Sequence, residues 1–281
     1  MLSYRHAFHA GNHADVLKHL ILVHVLDHLN LKDKPWWYVD SHAGAGVYNL
    51  SSDYARKNAE YETGIGRLWA RPDLPEAVAR YVELVRGLNP DGRLRLYPGS
   101  PWIASRLMRR QDRLRLFELH PMDGRLLKQT FAELDQRVRI EAADGFEGLK
   151  AVLPPPSRRG LTLIDPAYEV KTDYRAVVQA LKAGLDRFAT GIYAIWYPLL
   201  PRHEARELPQ RLRRLPGIRW LDVSLSVRAP AAEGFGMHGS GMFVVNPPWT
   251  LAATLAATLS WLTRILAQDA TADYRLDVQA D

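Results

Sequence analysis

A carboxylate, a proline and an aromatic ring directly follow a short apolar run in the second half of the sequence. The run is Leu161–Ile164, and Asp165, Pro166, Ala167 and Tyr168 come after it. In open α/β sheets, ligands bind at the carboxyl ends of the strands. There, Asp165 and the carbonyl oxygen of Pro166 can accept the two hydrogens of an exocyclic amine, while Tyr168 stacks on the attached ring.

These groups fit one particular chemistry. The N6 lone pair of adenine is delocalised into the ring, and two acceptors on its hydrogens favour the pyramidal, nucleophilic nitrogen. In-line attack on a sulfonium methyl group then depends mainly on positioning and on acceptors for the developing positive charge. The pattern therefore predicts methyl transfer, with Asp165, Pro166 and Tyr168 as the catalytic group.

Two other interpretations of this motif stay open at this point. Asp and Pro favour turns, so the segment is also typical of an ordinary turn at the end of a strand. A second segment of similar chemistry, Asn246-Pro247-Pro248-Trp249, is a rival catalytic motif. It follows the last strand predicted in the body of the chain, which favours a structural turn.

A glycine turn follows an earlier strand. Residues 40–46 include His42 and Gly44, and glycine lets the backbone approach a ligand closely. A dinucleotide-binding turn needs a third glycine, but Asn49 occupies the expected position, which disfavours a nicotinamide enzyme. The turn instead predicts contact with a cationic sulfonium nucleoside.

Two further acidic strand ends are candidates for holding a nucleoside. Glu118 could bind both ribose hydroxyls, and Asp144-Gly145 lies where an adenine amine is expected. Each acid is also a plausible helix N-cap, which is a purely structural role. Their order along the chain, ending in Asp165, favours a cofactor site.

Histidine and arginine clusters have weaker interpretations. The N-terminal histidines include i,i+4 pairs that could bind a metal, but no His-Glu-x-x-His pattern accompanies them. We expect His6 and His19 to contact cofactor or substrate, and we expect no metal. Six arginines could meet phosphates or simply form a solvated face: Arg106, Arg109, Arg110, Arg113, Arg158 and Arg159.

The elements that must position these groups follow from the apolar patterns. A helix is predicted from the cap Asn12 to just before Asp33, a helical insertion over 51–95, and a packing helix over Leu251–Leu266. The tail beyond Gln268 is predicted to be loosely held. Seven strands are predicted: 36–40, 114–118, 138–142, 161–164, 191–197, 221–227 and 242–246. This alternation predicts an α/β fold with a doubly wound, mostly parallel sheet.

Composition limits the class of protein. Hydrophobic residues make up 47% and charged residues 24%, and there is no cysteine, which excludes disulfides and thiolate metal sites. The formal net charge is +6, which favours polyanionic partners. Because the longest apolar stretch near the N-terminus is too short to span a bilayer, we expect a cytoplasmic protein without a membrane partner.

Seven segments together resemble one family. They are MLSYRHAFHAGNHADVLKH (1–19), DSHAGAG (40–46), YPGSP (97–101), ELHP (118–121), ADGF (143–146), SRRGLTLIDPAYE (157–169) and MFVVNPPW (242–249). The chain is similar to the bacterial 23S rRNA adenine-N6 methyltransferases of the large-subunit J family. The resemblance implies a Rossmann-like class I methyltransferase that uses S-adenosylmethionine and acts on protein-free 23S rRNA, and we expect a monomer.

The resemblance also implies roles for individual residues. Asp165 would be the catalytic acceptor, and Tyr4, His6 and Lys18 would lie on the substrate side. The domain would comprise 1–50 and 96–281, with 51–95 as an inserted helical subdomain. The cofactor would contact His19, His42, Ser100, Glu118, Asp144, Gly145 and Asp165, together with Gly44 of the glycine turn.

The chain departs from the family at one position. The family has Asp-Pro-Pro-Tyr where this sequence has Ala167 in third place. Alanine keeps both acceptors and the ring but loses the fixed φ of proline, so we expect an unchanged or reduced rate.

Three alternatives remain. They are a DNA adenine-N6 methyltransferase with the same catalytic core, an RNA-binding assembly factor made inactive by Ala167, and a histidine-rich metal hydrolase.

Overall fold

The computed structural model describes residues 5–133, 136–231 and 236–279, which form a helix-covered β-sheet. In chain order the strands are β1 (Trp37–Asp40), β2 (Val47–Asn49), β3 (Leu96–Pro98), β4 (Arg113–Phe117), β5 (Val138–Glu141), β6 (Gly160–Ile164), β7 (Ile192–Leu199), β8 (Trp220–Ser226), β9 (Gly239–Val245) and β10 (Asp273–Gln279).

The main sheet has eight strands in the order β10-β8-β9-β7-β6-β1-β4-β5, and β2 pairs with β3 in a small separate sheet. Neighbouring strands from β7 to β5 are parallel, whereas β9 runs antiparallel to both β7 and β8. From β1 the chain moves outward through β4 and β5 and then returns to β6 on the other side. The strand order therefore reverses between β1 and β6, which is where such sheets bind ligands. This confirms the predicted α/β class with a mostly parallel sheet.

Helices cover the sheet and connect its strands. They are α1 (His13–Asn30), α2 (Asp53–Asn58), α3 (Gly66–Trp69), α4 (Glu76–Gly87), α5 (Ser100–Leu107), α6 (Pro121–Thr130), α7 (Gly145–Val152), α8 (Lys171–Arg187), α9 (His203–Arg213) and α10 (Leu251–Leu266). The bounds of α10 are those predicted from the apolar spacing.

Helix α1 is buried on nearly all sides. The side chain of Asn12 accepts hydrogen bonds from the backbone amides of Ala14 and Asp15, as the predicted cap requires. The polar residues Asp15, Lys18 and His19 are buried in its first half along with the leucines and valines. Because buried charges need partners, this helix is expected to make specific polar contacts.

The predicted count of seven strands was one too low for the main sheet, because β10 was missed. The segment predicted to be a loosely held tail instead pairs antiparallel with β8 along its whole length, from Asp273↔Ser226 to Gln279↔Trp220. Its side chains alternate between polar and apolar, but they lie at the exposed edge of the sheet, so no buried run marked the strand.

The segment between β2 and β3 is largely helical. It contains α2, α3, α4 and a 3-10 turn at Glu60–Thr63, and its ends meet because β2 and β3 are paired. Ile65 and Tyr81 from this segment are buried in the same core as Leu17 of α1. The division of the chain into two domains therefore stays a prediction.

Candidate active site

A cavity of about 540 Å³ opens at the carboxyl ends of β1, β4 and β6. This volume is within the usual range for small-molecule sites. Eleven of the residues predicted from the sequence line it: His6, Lys18, His19, His42, Gly44, Ser100, Glu118, Asp144, Gly145, Asp165 and Pro166. Tyr4 lies outside the described residues.

The glycine turn after β1 is built around the buried carboxylate of Asp40. One of its oxygens accepts hydrogen bonds from the hydroxyls of Tyr38 (2.6 Å) and Ser100 (2.7 Å), and the other accepts from the backbone amide of His42 (3.2 Å). Burial raises the pKa of Asp40 in spite of these donors. Ser100 therefore has a structural bond at the cavity wall.

Glu118 joins the end of β4 to this turn. Its two carboxylate oxygens each accept a backbone hydrogen bond of 2.7 Å, one from Gly44 and one from His120. Gly44 has φ +63°, and a Cβ there would lie 2.2 Å from the hydroxyl of Tyr48. Burial raises the pKa of Glu118. A carboxylate oxygen has further lone pairs, so these bonds leave acceptor capacity for a ligand.

Asp144 has the capping role that the sequence left open. Its side chain accepts a 2.8 Å hydrogen bond from the amide of Phe146 and is otherwise exposed. The next residue, Gly145, packs closely against the backbone of the turn after β1. A Cβ atom at this position would lie only 1.8 Å from the carbonyl oxygen of Ser41. Only glycine allows α7 to begin this close to the end of β1.

Two histidines, the buried His19 and the half-buried His42, line the cavity in neutral form. Burial lowers the pKa of His19 to about 3 and that of His42 to about 4. His19 Nδ1 lies 2.8 Å from the hydroxyl of Tyr97, while its Nε2 has no hydrogen-bond partner within the described parts of the chain. His42 Nδ1 lies 2.8 Å from Ser41 Oγ.

A chain of hydrogen-bonded and ion-paired side chains connects the N-terminal segment to Asp165. Lys18 Nζ lies 2.7 Å from Asp165 Oδ2 and 2.8 Å from Asp15 Oδ1, and Asp15 Oδ2 lies 2.8 Å from His6 Nε2. Burial alone would lower the pKa of Lys18, but Asp15 and Asp165 hold it well above its usual value. Burial would likewise raise the pKa of Asp15, yet His6 and Lys18 hold it well below. The result is a buried, charged cluster.

In this structure the ring of Tyr168 lies in the core and not in the cavity. The side chain is 2% exposed, does not line the cavity, and donates a 2.6 Å hydrogen bond to the carbonyl oxygen of Trp196. Its ring packs against Tyr174 at 4.7 Å, on a backbone with φ +53°. In this conformation the predicted stacking surface is turned into the core, because two aromatic neighbours bury the ring.

Other lining residues were missed by sequence reasoning. Asp15 lies within the helix predicted to begin at Asn12 but was not predicted to be a site residue, although a buried acid in an apolar helix indicates a polar partner. Trp196 and Pro198 come from the end of β7, one strand beyond Asp165. Their position near the carboxyl end of a predicted parallel strand could have indicated them.

The histidine pairs and the Asn-Pro-Pro-Trp segment have other contacts. Within the described ranges, no group of three or more His, Cys, Asp or Glu side chains could hold a metal ion. Asn246 donates hydrogen bonds to the carbonyls of Ala189 and Gly191, at the start of β7 and thus at the edge opposite Asp165.

No helix within 5–133, 136–231 and 236–279 is long and apolar enough to cross a membrane.

Comparisons with known proteins identify the family of the chain. The family described as ribosomal RNA large subunit methyltransferase D, RlmJ, matches residues 33–279. The ribosomal RNA large subunit methyltransferases J of Haemophilus influenzae and Escherichia coli are 48% and 51% identical over 278 and 262 residues, covering 99% and 93% of this chain and 98% and 93% of theirs. The crystal structure of a Legionella pneumophila protein has a TM-score of 0.88 at 34% identity, covering 96% of this chain and 98% of that one. The chain therefore belongs to the RlmJ family of ribosomal RNA large subunit methyltransferases.

Proposed function

We propose that this protein transfers a methyl group from S-adenosylmethionine to N6 of one adenine in protein-free 23S rRNA. Family membership over nearly the whole chain supports the class of reaction and the kind of RNA. The observation that carries the choice of atom is Asp165, a carboxylate held at the carboxyl end of β6 inside the cavity.

The cavity fits the cofactor by its donor and acceptor set. Glu118 keeps lone pairs for the ribose hydroxyls, and Asp144 is exposed with acceptor capacity for an adenine amine. His19 Nε2 is buried without a partner among the described residues and can meet a polar group of the ligand. His42, Gly44, Ser100 and Gly145 complete the proposed cofactor wall.

When bound, S-adenosylmethionine supplies an electrophilic methyl group on a sulfonium centre. Asp165 and the Pro166 carbonyl accept the two N6 hydrogens of the target adenine and orient its lone pair. Lys18 fixes the Asp165 carboxylate from one side at 2.7 Å, leaving its other oxygen for the amine. Asp165 then takes the proton that the methylated nitrogen loses.

The substrate side is formed by the N-terminal segment. We propose that Tyr4, His6 and Lys18 lie there, with His6 held by Asp15. For Tyr168 to stack on the adenine, its hydroxyl must release the Trp196 carbonyl and its ring must leave Tyr174. The positive φ at Tyr168 is an unfavourable conformation for a non-glycine residue, which helps this movement.

The test is transfer of a labelled methyl group to deproteinised 23S rRNA, to assembled large subunits and to duplex DNA of equal mass, with nucleoside analysis of the products. We expect N6-methyladenosine in the free RNA alone. Methylated DNA would favour a DNA methyltransferase, and cofactor binding without transfer to any substrate would favour an inactive assembly factor.

We propose that the protein acts in the cytoplasm as a monomer without a metal ion. Transfer should then survive a chelator, and the rate per chain should not depend on protein concentration. We also propose that 51–95 is a subdomain inserted into the methyltransferase domain of 1–50 and 96–281.

A further inference from the structure

Positive charge is concentrated at the edge of the sheet opposite the cavity, which we call the amino-terminal edge. Five chain segments meet there, at the starts of β1, β4, β5, β6 and β8. They contain ten Lys and Arg residues and four acidic residues, Asp33, Asp112, Glu133 and Asp135, so their net charge of +6 equals that of the whole chain. The ten are Lys32, Lys34, Arg109, Arg110, Arg113, Arg137, Arg158, Arg159, Arg214 and Arg219.

Two of these cations hold the loop between α1 and β1. Arg109 donates hydrogen bonds of 2.9 Å to the carbonyls of Lys32 and Lys34, and Arg159 donates one of 2.7 Å to Lys34. Arg109 is also paired with the buried Asp112. These arginines therefore have structural roles, and they fix the loop that carries the two lysines.

Other cations at this edge point to solvent. Lys32, Lys34, Arg110 and Arg158 are exposed, and none of them has a carboxylate within ion-pair distance in the parts of the chain that the structure describes. Beside them, Arg110, Arg113, Gln136 and Arg137 line an open groove of about 730 Å³. Guanidinium groups that line a groove suit phosphate oxygens, which they bind in a bidentate manner.

An exposed aromatic ring lies at the same edge. Trp249 is 82% exposed, more than any other large hydrophobic side chain among the described residues. It follows β9, whose last residue Val245 pairs with Tyr193 at the start of β7. Exposed aromatic rings beside cations are typical of surfaces on which unpaired bases stack.

The second half of helix α1 has contacts near both this ring and the cations. His24 Nε2 lies 2.9 Å from Thr250 Oγ1, next to Trp249. His28 is one turn further along α1; burial lowers its pKa, and the charges of Arg159 and Lys32 lower it further. The tryptophan and the cations therefore lie along one end of α1.

We propose that the amino-terminal edge is a second RNA-binding surface, which holds the sugar-phosphate backbone of a stretch of rRNA remote from the target adenine and stacks an unpaired base on Trp249. Lys32, Lys34, Arg110, Arg113 and Arg158 supply the phosphate contacts. The surface rests on the proposed function for the identity of the RNA, but it binds without the cofactor and takes no part in methyl transfer itself.

The experiment compares two triple variants of the full chain that remove the same charge. The test variant is Lys32→Ala/Arg110→Ala/Arg158→Ala at this edge, and the control variant is Arg93→Ala/Lys182→Ala/Arg264→Ala at exposed positions elsewhere. Binding to protein-free 23S rRNA is measured without cofactor over a range of salt concentrations, and thermal unfolding verifies that both variants are folded. Trp249→Ala is measured alongside them.

We expect the test variant to bind rRNA on the order of ten- to a hundredfold more weakly than the control variant, with a salt dependence flatter by about 2 to 3 log units per log unit of salt. Trp249→Ala should weaken binding without changing that slope. On the shortest rRNA fragment that the wild-type chain methylates, the test variant should keep its kcat and KM.

Three results would overturn the proposal. Equal losses in both triple variants would show that only net charge matters, and unchanged rRNA binding would show that this edge does not meet RNA. Retained RNA binding with lost binding to phosphatidylglycerol vesicles would assign the edge to a lipid surface. Absence of methyl transfer by the wild-type chain would contradict the proposed function but leave the binding comparison intact.

Discussion

The ammonium group of Lys18 lies 2.7 Å from Asp165 Oδ2 and 2.8 Å from Asp15 Oδ1, so one buried cation joins α1 to the end of β6. The side chain of Lys18 is 6% exposed and that of Asp165 is 16% exposed. Without Lys18, the Asp165 carboxylate would have no cation within ion-pair distance among the described residues, and an unpaired buried charge is strongly destabilising. The position of the proposed catalytic carboxylate therefore depends on a residue far away in sequence.

Replacing Lys18 by methionine should lower both activity and stability. Asp165 loses a charge-assisted hydrogen bond, and Asp15 keeps only its contacts with His6 and Gly11. We expect kcat to fall about 10- to 100-fold, and the free energy of unfolding to fall by about 3 kcal/mol. Single-turnover rates and urea unfolding measure the two effects, with the exposed Lys182→Met as control. Wild-type turnover in folded Lys18→Met would show that the pair has no role in positioning.

Asp165→Ala should abolish methyl transfer while leaving cofactor binding largely intact, because Asp165 is proposed to hold the target amine, whereas most of the proposed cofactor wall lies near the ends of β1 and β4 and the start of α7. The cofactor affinity can be measured by calorimetry and the transfer with labelled methyl groups. Asp165→Asn, which keeps one acceptor but loses the charge, should be intermediate. Near-normal turnover in the alanine variant would contradict the mechanism.

Ala167→Pro restores the residue that is typical of the family. The amide of Ala167 donates no hydrogen bond to any described residue, so proline removes none, and it lowers the entropy of the unfolded chain. We expect turnover that is equal to or a few times higher than that of the wild type. The free energy of unfolding should rise by about 0.4 to 1 kcal/mol. A large loss of activity would show that alanine at this position is required by the local backbone.

Three histidines that are removed from water to a large extent should make the fold sensitive to mild acid. Burial lowers the pKa of His13 and His42 to about 4 and that of His19 to about 3, whereas a histidine of the unfolded chain titrates near 6.5. As the pH falls below about 6.5, the unfolded chain therefore binds protons that the folded chain does not. The free energy of unfolding should fall by up to about 1.4 kcal/mol per histidine and pH unit until the folded-state values are reached.

Urea unfolding at about pH 7, 6 and 5 measures this slope, and His13→Gln should remove one histidine's share of it. A stability that does not change across this interval would mean that these rings are protonated in the folded protein as well.

The strand-and-turn positions of the site could be predicted because they depend on local patterns. The apolar run Leu161–Ile164 followed by Asp165, and the turn that contains Gly44, predicted two sides of the cavity. The sheet class followed for the same reason, since each buried parallel strand is a short apolar run.

Features that depend on tertiary contacts could not be predicted. Nothing in the spacing of Lys18 and Asp165, 147 positions apart, indicates that they meet. The buried position of Tyr168 depends on Trp196 and Tyr174, which are supplied by β7 and α8. The strand β10 was missed because its stability comes from pairing with β8 and not from burial of its own side chains.

The burial of α1 also sets a distance. Along its axis, His24 and His28, which lie toward Trp249 and the amino-terminal edge, are about 9 and 15 Å from Lys18 at the cavity. Because the helix is hydrogen-bonded and packed on nearly all sides, it keeps the distance between the two proposed RNA contacts fixed. An RNA that meets both must present its target adenine and its second contact at that spacing. The protein can thereby select a folded RNA by its dimensions, without reading any base outside the cavity.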